Sequence, residues 1–189
     1  MSINLDEIES RVSFHSDAER LAGKLGIPQG LRPGERRAAF LIMHGFGGTK
    51  NDGLSRAAAG LLVELGYVTL RFDFRGCGES SGERGLVRCE DEVADALNAV
   101  SFMEGLPEVD PKRIGMLGGS LAGSVASQAA GADTRVAACI SCGGLGSGET
   151  TLRFLHPAGE AWQRFNAMLE EGRRRRDLFK SQAAEIGDQ

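Results

Sequence analysis

From residue 38 onward, short apolar runs alternate with segments of helical periodicity. The apolar runs occupy residues 38–43, 67–72, 113–117 and 136–141. Between them, apolar side chains recur every three or four positions, which is typical of helices that bury one face. Strands that alternate with helices form a mainly parallel sheet covered by helices on both faces. The chain is therefore predicted to be an α/β protein.

The first 30 residues carry a different pattern. Apolar and polar residues alternate on both sides of a polar turn at 16–19. This alternation predicts a β-hairpin, which we expect to form an antiparallel edge of the sheet. Prolines and glycines at 28–34 then mark a loop before the first buried strand.

The pattern changes again near Gly148. Beyond it, Trp162, Phe165, Met168 and Leu169 fall at helical spacing and predict an amphipathic helix, which either covers a site as a lid or packs on the sheet. We therefore expect a core over residues 1–148 and a helical, lid-like segment over 149–189. Four consecutive arginines at 173–176 are either a solvated helix end or a site for an anionic partner.

Charge and hydropathy exclude several classes of partner. The net charge of −4 gives no electrostatic basis for nucleic-acid binding. No apolar run approaches the roughly 20 residues that span a membrane, so no membrane partner is expected. The acidic N-terminus lacks the features of a secretory signal, which makes a cytoplasmic location the expectation.

Two of the four cysteines, Cys139 and Cys142, have the spacing of a redox or metal-binding pair. They lie in or at the end of a predicted strand, where residues three apart point to opposite faces. This geometry favours a structural role for both, and no metal site and no cofactor are expected.

The segment 118–123 has the features of a nucleophile elbow. It follows an apolar run and precedes a helix, and its small residues are Gly118, Gly119, Ala122 and Gly123. A serine on a sharp turn between strand and helix needs small neighbours because the two elements approach closely there. Such a turn exposes the hydroxyl of Ser120 and places the next amide at a helix start, where it can stabilise an oxyanion. The alternative is that Ser120 is an ordinary helix N-cap.

A second glycine-rich turn, residues 44–49, follows the run 38–43. A phosphate-binding loop would need a Gly-Lys-Ser/Thr ending, and a dinucleotide fingerprint would need a glycine where Lys50 stands. Neither pattern is met. The turn exposes backbone amides at the carboxyl end of its strand, which is the end where Ser120 lies, so the two turns could share one site.

Three motifs together resemble the α/β-hydrolase superfamily over about residues 10–145. They are the turn at 44–48, the segment 71–80 and the Ser120 elbow. The combination is most similar to intracellular microbial carboxylesterases of the feruloyl-esterase type and to related serine peptidases. The resemblance implies that Ser120 is the nucleophile for a small-molecule carboxylic ester and that the amides of Phe46 and Leu121 form the oxyanion hole. It also implies that His44 and Gly45 support the loop.

The chain departs from the superfamily pattern at two points. Ala122 replaces the last glycine of the usual G-x-S-x-G, a change between small residues. No histidine follows a late strand, although the triad of this fold runs serine, acid, histidine. His156, with Glu149 or Asp177 as its partner, is one candidate base.

The other explanation, which the sequence favours, is that the chain is the N-terminal part of a larger hydrolase and ends near the lid. The strand at 136–141 would then be an exposed sheet edge, open to self-association. Two alternatives to an esterase stay open: an acylpeptide or aminopeptidase activity, and a catalytically incomplete hydrolase fold that binds a ligand without turnover.

Overall fold

The computed structural model describes residues 5–156 and 159–187 of the chain. The strands are β1 (Glu9–Ser16), β2 (Glu19–Gly26), β3 (Arg37–Met43), β4 (Val68–Phe72), β5 (Val109–Gly119) and β6 (Val136–Cys142). The helices are α1 (Leu5–Ile8), α2 (Gly53–Glu64), α3 (Cys89–Glu104), α4 (Leu121–Ala132), α5 (Gly148–Leu155) and α6 (Glu160–Gly187).

The six strands form one sheet in the order β1-β2-β4-β3-β5-β6. β1 and β2 pair antiparallel, and β2 runs antiparallel to β4. The remaining neighbours are all parallel. The prediction of a mainly parallel sheet with an antiparallel hairpin at one edge is therefore confirmed. β6 forms the opposite edge, and its residues after Val136 are exposed.

β5 begins earlier than its apolar run predicts. Val109 pairs with Arg37, after which the register with β3 shifts before the regular pairing of Ala39 with Ile114. Polar residues thus join the strand through backbone pairing, which hydrophobic patterning alone does not reveal.

The core lies on both faces of the sheet, because successive strand residues point to opposite sides. On β3, Leu41 and Met43 pack against α3 and α4, whereas Phe40 and Ile42 pack against α2. Helix side chains in the first cluster include Val100, Met103 and Val125, and those in the second include Ala59 and Leu62. Helices therefore cover both faces, as predicted.

The chain divides into two compact units, Met1–Leu145 and Gly146–Gln189. The second contains α5 and α6. α5 is not predicted by the sequence pattern, since it is short and carries two β-branched threonines that favour helices weakly. Its start is capped by Ser147, whose side chain accepts a hydrogen bond from the N–H of Thr150.

Aromatic contacts organise the second unit. The guanidinium of Arg153 lies 4.5 Å from the ring centre of Trp162. The ring of His156 stacks on Phe165 with 4.5 Å between centroids. The helical spacing of Trp162 and Phe165 therefore does correspond to a helix, α6, as predicted. None of the described helices is long and apolar enough to cross a membrane.

Several charged residues of the second unit pair locally. The Glu149 carboxylate accepts a hydrogen bond from Arg153 at 2.9 Å. Within the described residues, no hydrogen bond joins Glu149 to His156. Arg174 and Arg175 both bind Glu171. The side chains of Arg176 and Asp177 lie outside the described residues.

Candidate active site

Ser120 is the single residue that connects β5, which ends at Gly119, to α4, which begins at Leu121. Its φ is 55° and its ψ is −125°, and among the described non-glycine residues only Asp17 shares a positive φ. This region is sparsely populated, and such a conformation costs about 1–3 kcal/mol. The surrounding structure must therefore hold Ser120 in place.

The Ser120 side chain does not cap α4. It makes no hydrogen bond to the helix start, and the residue is exposed. An ordinary N-cap serine would accept a bond from a first-turn amide. Its backbone N–H donates instead to the carbonyl of Cys142, 2.9 Å away, at the end of β6. The turn thus presents the hydroxyl to solvent.

Strand and helix cross so closely at this turn that no side chain fits between them. A Cβ on Gly118 would lie 2.0 Å from the carbonyl oxygen of Ala122. A Cβ on Gly123 would lie 2.8 Å from the Oγ of Ser141, and Ala122 is itself fully buried. Gly118 is therefore required where β5 turns into α4, and Gly123 is required where α4 packs against Ser141 of β6.

The structure brings the glycine-rich loop after β3 next to Ser120. A Cβ added to Gly45 would lie 3.2 Å from the Cβ of Ser120 and 3.1 Å from the carbonyl oxygen of Gly119. The next residue, Phe46, has a side chain that is mostly exposed. Leu121 is the first residue of α4, where the N–H has no partner within the helix. The two predicted oxyanion-hole residues therefore belong to segments that flank Ser120.

The ring of His44 is fully engaged in holding this loop. Nε2 accepts a hydrogen bond from the N–H of Phe74 at 3.2 Å. Nδ1 therefore carries the proton and donates to the carbonyl of Gly45 at 2.9 Å. The ring is buried and packs edge-on against Phe74. Neither nitrogen is available to accept a proton from Ser120.

A buried ion pair fixes the far end of the same loop. Asp73, fully buried after β4, accepts from the backbone N–H of Lys50 at 2.7 Å and from its Nζ at 2.5 Å. It also accepts from the N–H of Glu79 at 2.8 Å. The Lys50 ammonium additionally contacts the Glu79 carboxylate at 2.6 Å, and this contact lowers the pKa of Glu79. Asp73 thus joins the loop after β3 to the turn after β4.

A second buried pair lies beside the first. The guanidinium of Arg71, on β4, binds the carboxylate of Glu9 through Nε at 2.6 Å and through Nη2 at 2.5 Å. Its Nη1 donates to the carbonyl of Lys50 and to Asn51. Sequence reasoning assigned no role to Lys50, Asp73 or Arg71. A charged residue inside the otherwise apolar strand 67–72 was the available signal, because a buried charge requires a partner.

The first unit supplies no histidine that reaches Ser120. His15 lies on β1, which is separated from β5 by four strand spacings, or about 19 Å. His44 is engaged as described. His156, the remaining histidine of the sequence, belongs to the second unit.

No cysteine in the described part of the chain forms a disulfide bond. All four are free, and Cys139 and Cys142 are exposed on the edge strand. The described residues contain no group of three or more side chains suited to hold a metal ion.

Comparison with known proteins gives a consistent picture. The protein-family model described as "alpha/beta hydrolase fold" matches residues 38–186. The acyltransferase drtE of Aspergillus calidoustus is 33% identical over 164 residues, which are 86% of this chain and 51% of the relative. The thiohydrolase aneE of Aspergillus aculeatus is 34% identical over 140 residues, which are 73% of this chain and 42% of the relative.

Solved structures agree in fold. The hypothetical protein PA2218 from Pseudomonas aeruginosa has a TM-score of 0.78 at 30% identity, covering 92% of this chain and 54% of that one. Est1E from Butyrivibrio proteoclasticus, with ferulic acid bound, has a TM-score of 0.64 at 27% identity, covering 69% of this chain and 51% of that one. The chain spans about half the length of the curated relatives it matches.

Proposed function

The chain belongs to the alpha/beta hydrolase fold family, and from this membership we propose that it carries the nucleophile and the oxyanion hole of a serine hydrolase that cleaves carboxylic esters by acyl transfer. The observation that carries the proposal is the turn at Ser120. Its strained backbone leaves the hydroxyl exposed and uncapped, against the loop that contains Gly45 and Phe46. Strained residues of this kind cluster at active sites, and the surrounding structure holds them in place.

The reaction has two steps. The Ser120 oxygen attacks the ester carbonyl carbon while its proton passes to a general base, and the tetrahedral oxyanion accepts hydrogen bonds from the amides of Phe46 and Leu121. The carbon–oxygen bond to the alcohol then breaks, and the alcohol leaves with a proton. Water attacks the resulting acyl-serine, releases the carboxylic acid and restores the hydroxyl.

The named relatives support acyl chemistry. One is called an acyltransferase and one a thiohydrolase, and a third was solved with ferulic acid bound. Acyl transfer and thioester cleavage both proceed by attack on an acyl carbonyl, and an acyl-serine serves both. The proposed ligand of this chain is accordingly a small molecule with an ester carbonyl.

A second candidate function is ligand binding without turnover. The observation that favours it is the lack of an available histidine within residues 5–145, because a serine hydroxyl is a weak nucleophile without a base. The two functions differ in whether Ser120 reacts.

Labelling with a fluorophosphonate probe tests the proposal. We expect the probe to modify the peptide that contains Ser120, as read by mass spectrometry. The Ser120→Ala variant should lose the label. Ser127→Ala, an exposed serine on the same helix, should keep it. Absence of label on the folded chain would favour either binding without turnover or a general base that this sequence does not contain, and a label that survives Ser120→Ala would contradict the assignment of the nucleophile.

A further inference from the structure

A cleft of about 320 Å³ lies on the hairpin that β1 and β2 form. Its side-chain walls are Arg11, Ser13, Arg20, Ala22 and Glu79, and the backbone of residues 12 and 23 completes it. We call it the hairpin cleft. It shares no residue with the Ser120 turn or with the loop after β3, so the proposed function gives it no role.

The hairpin cleft exists because two small residues face each other between long cationic ones. Ser13 pairs with Ala22 across the hairpin. Arg11 and its partner Lys24 stand two residues to one side of this pair, and Arg20 stands two residues to the other. Residues two apart in a strand point to the same face of the sheet. The cationic side chains therefore surround a floor of one hydroxyl and one methyl group.

The guanidinium of Arg20 lines the cleft without a carboxylate partner. Its Nη2 donates to the backbone carbonyl of Glu79 at 2.9 Å, which orients the group but leaves its charge uncompensated. Within the part of the chain that the structure describes, neither Arg20 nor Lys24 forms an ion pair. Arg11 approaches the Glu79 carboxylate only to 3.9 Å, and an ion pair this long and this exposed contributes little.

The carboxylate in the wall already has a strong partner. Glu79 contacts the buried ammonium of Lys50 at 2.6 Å. The turn that carries Glu79 is fixed beside β2, because the N–H of Ser81 donates to the carbonyl of Arg20 at 2.9 Å and the N–H of Arg20 donates to the Oγ of Ser81 at 2.8 Å. The cations of the cleft thus face one carboxylate that is engaged elsewhere, and the cleft keeps an excess of positive charge.

We propose that the hairpin cleft binds a small molecule that carries a diphosphate group, with the guanidiniums of Arg11 and Arg20 as its main donors. Planar guanidinium forks match pairs of phosphate oxygens. Lys24 adds a third positive charge, and the hydroxyl of Ser13 on the floor can donate to a further oxygen.

The dimensions of the cleft favour a diphosphate over a single phosphate. Arg11 and Arg20 stand four residues apart along the hairpin, which separates their backbones by about 13 Å. A diphosphate offers separate oxygens to the two guanidiniums that enter from opposite ends. The small volume of the cleft and the net charge of −4 disfavour an extended polyanion such as nucleic acid.

The ligand of this cleft is distinct from the ester of the proposed reaction. β2 is separated from β5, which leads to Ser120, by three strand spacings, or about 14 Å. The proposal therefore does not require Ser120 to react, and it is tested without measuring turnover.

Calorimetric titration of the full chain with inorganic pyrophosphate, at pH 7 and low ionic strength, tests the proposal. We expect one pyrophosphate to bind per chain, inorganic phosphate to bind more weakly, and chloride at the same ionic strength to give no binding. Absence of pyrophosphate binding to the folded chain would overturn the proposal, as would equal affinities for pyrophosphate and chloride.

Two variants that change the charge of the wall in opposite directions locate the site. Arg20→Gln should weaken pyrophosphate binding at least about tenfold, because it removes charge-assisted hydrogen bonds. Glu79→Gln should tighten it about threefold, because it removes the carboxylate from the wall. Arg113→Gln removes the charge of an exposed arginine on β5, outside the cleft, and should leave the affinity unchanged. Circular dichroism confirms that each variant is folded.

Arg20→Lys separates recognition by the guanidinium fork from attraction by net charge. We expect it to bind pyrophosphate several times more weakly than the wild-type chain, since an ammonium group lacks the fork. Full affinity in Arg20→Lys would overturn the assigned geometry. Unchanged binding in Arg20→Gln, or weaker binding in Glu79→Gln, would show that the ligand lies elsewhere.

Discussion

Gly45 lies in van der Waals contact range of Ser120, so that a single added methyl group at position 45 would meet the Cβ of the serine at 3.2 Å. This proximity follows from the sheet. β3 and β5 are parallel neighbours in which Met43 pairs with Gly118, and the two loops therefore leave the sheet side by side. Gly45 therefore lies against the proposed nucleophile, Ser120, and directly precedes Phe46 of the proposed oxyanion hole.

Gly45→Ala should slow fluorophosphonate labelling of Ser120 by up to about tenfold, because its neighbours must shift by a few tenths of an ångström, less than the 1 Å displacement that costs about 100-fold. The new methyl group meets a backbone carbonyl and a Cβ, neither of which can move aside cheaply. Labelling rates measured by mass spectrometry check this. Gly53→Ala is the control, since a Cβ there meets nothing within 4 Å. Labelling of Gly45→Ala at the wild-type rate would show that the contact has no role in reactivity.

Ser120→Gly should stabilise the fold by about 1 kcal/mol, because glycine adopts a positive φ without the strain that serine bears. Ser127→Gly, in the interior of α4, should instead be destabilising, since glycine favours helices poorly. Urea unfolding of both variants measures the two free energies. A loss of stability in Ser120→Gly would mean that the turn stores no strain.

Asp73→Asn should cost about 3–5 kcal/mol of stability, because it leaves the buried ammonium of Lys50 without its main counter-charge. The side-chain NH₂ group of the new asparagine would also face two groups that are themselves hydrogen-bond donors, Lys50 and the N–H of Glu79. The same change should slow labelling of Ser120 by loosening the loop. Glu79→Gln, whose side chain is 55% exposed, should be much milder in denaturant titrations. Equal effects of the two changes would argue against this ranking.

Glu92 should make stability depend on pH. The residue lies in the first turn of α3 and is 6% exposed, and its Oε2 has no hydrogen-bond partner among the described residues. Burial first, and the charge of Asp95 second, raise its pKa to about 7. The folded chain therefore retains a proton that the unfolded chain releases near pH 4.3. Between these values, stability falls as pH rises.

Glu92→Gln should remove this dependence. We expect a gain of about 2 kcal/mol at pH 8, somewhat below the full linkage value because the helix N-terminus favours the anion, and little change at pH 4. Glu90→Gln, exposed in the same turn, is the control. Unfolding curves at a series of pH values provide the test, and parallel curves for wild type and Glu92→Gln would contradict it.

The Ser120 turn could be located from the sequence because its determinants are local: a strand end, a helix start and small residues between them. The family match confirms the resemblance that these motifs indicated. The contact between Lys50 and Asp73 could not be located in this way. It arises because Met43 pairs with Phe72 across β3 and β4, and that register is set by the assembled sheet. The roles of Ser120, Phe46 and Leu121 stay predictions.

The crowding at Gly118 and Ala122 determines which positions near the proposed site can vary. Positions where an extra carbon would collide with backbone are closed to variation, whereas Phe46, Leu86 and Val87 sit on loops with open space beside them. Laboratory evolution toward new substrates should accordingly accumulate changes on those loops and return the elbow unaltered. Under the proposed function, the turn that would carry the chemistry is therefore fixed by steric exclusion, and changes in substrate preference are expected on the neighbouring loops.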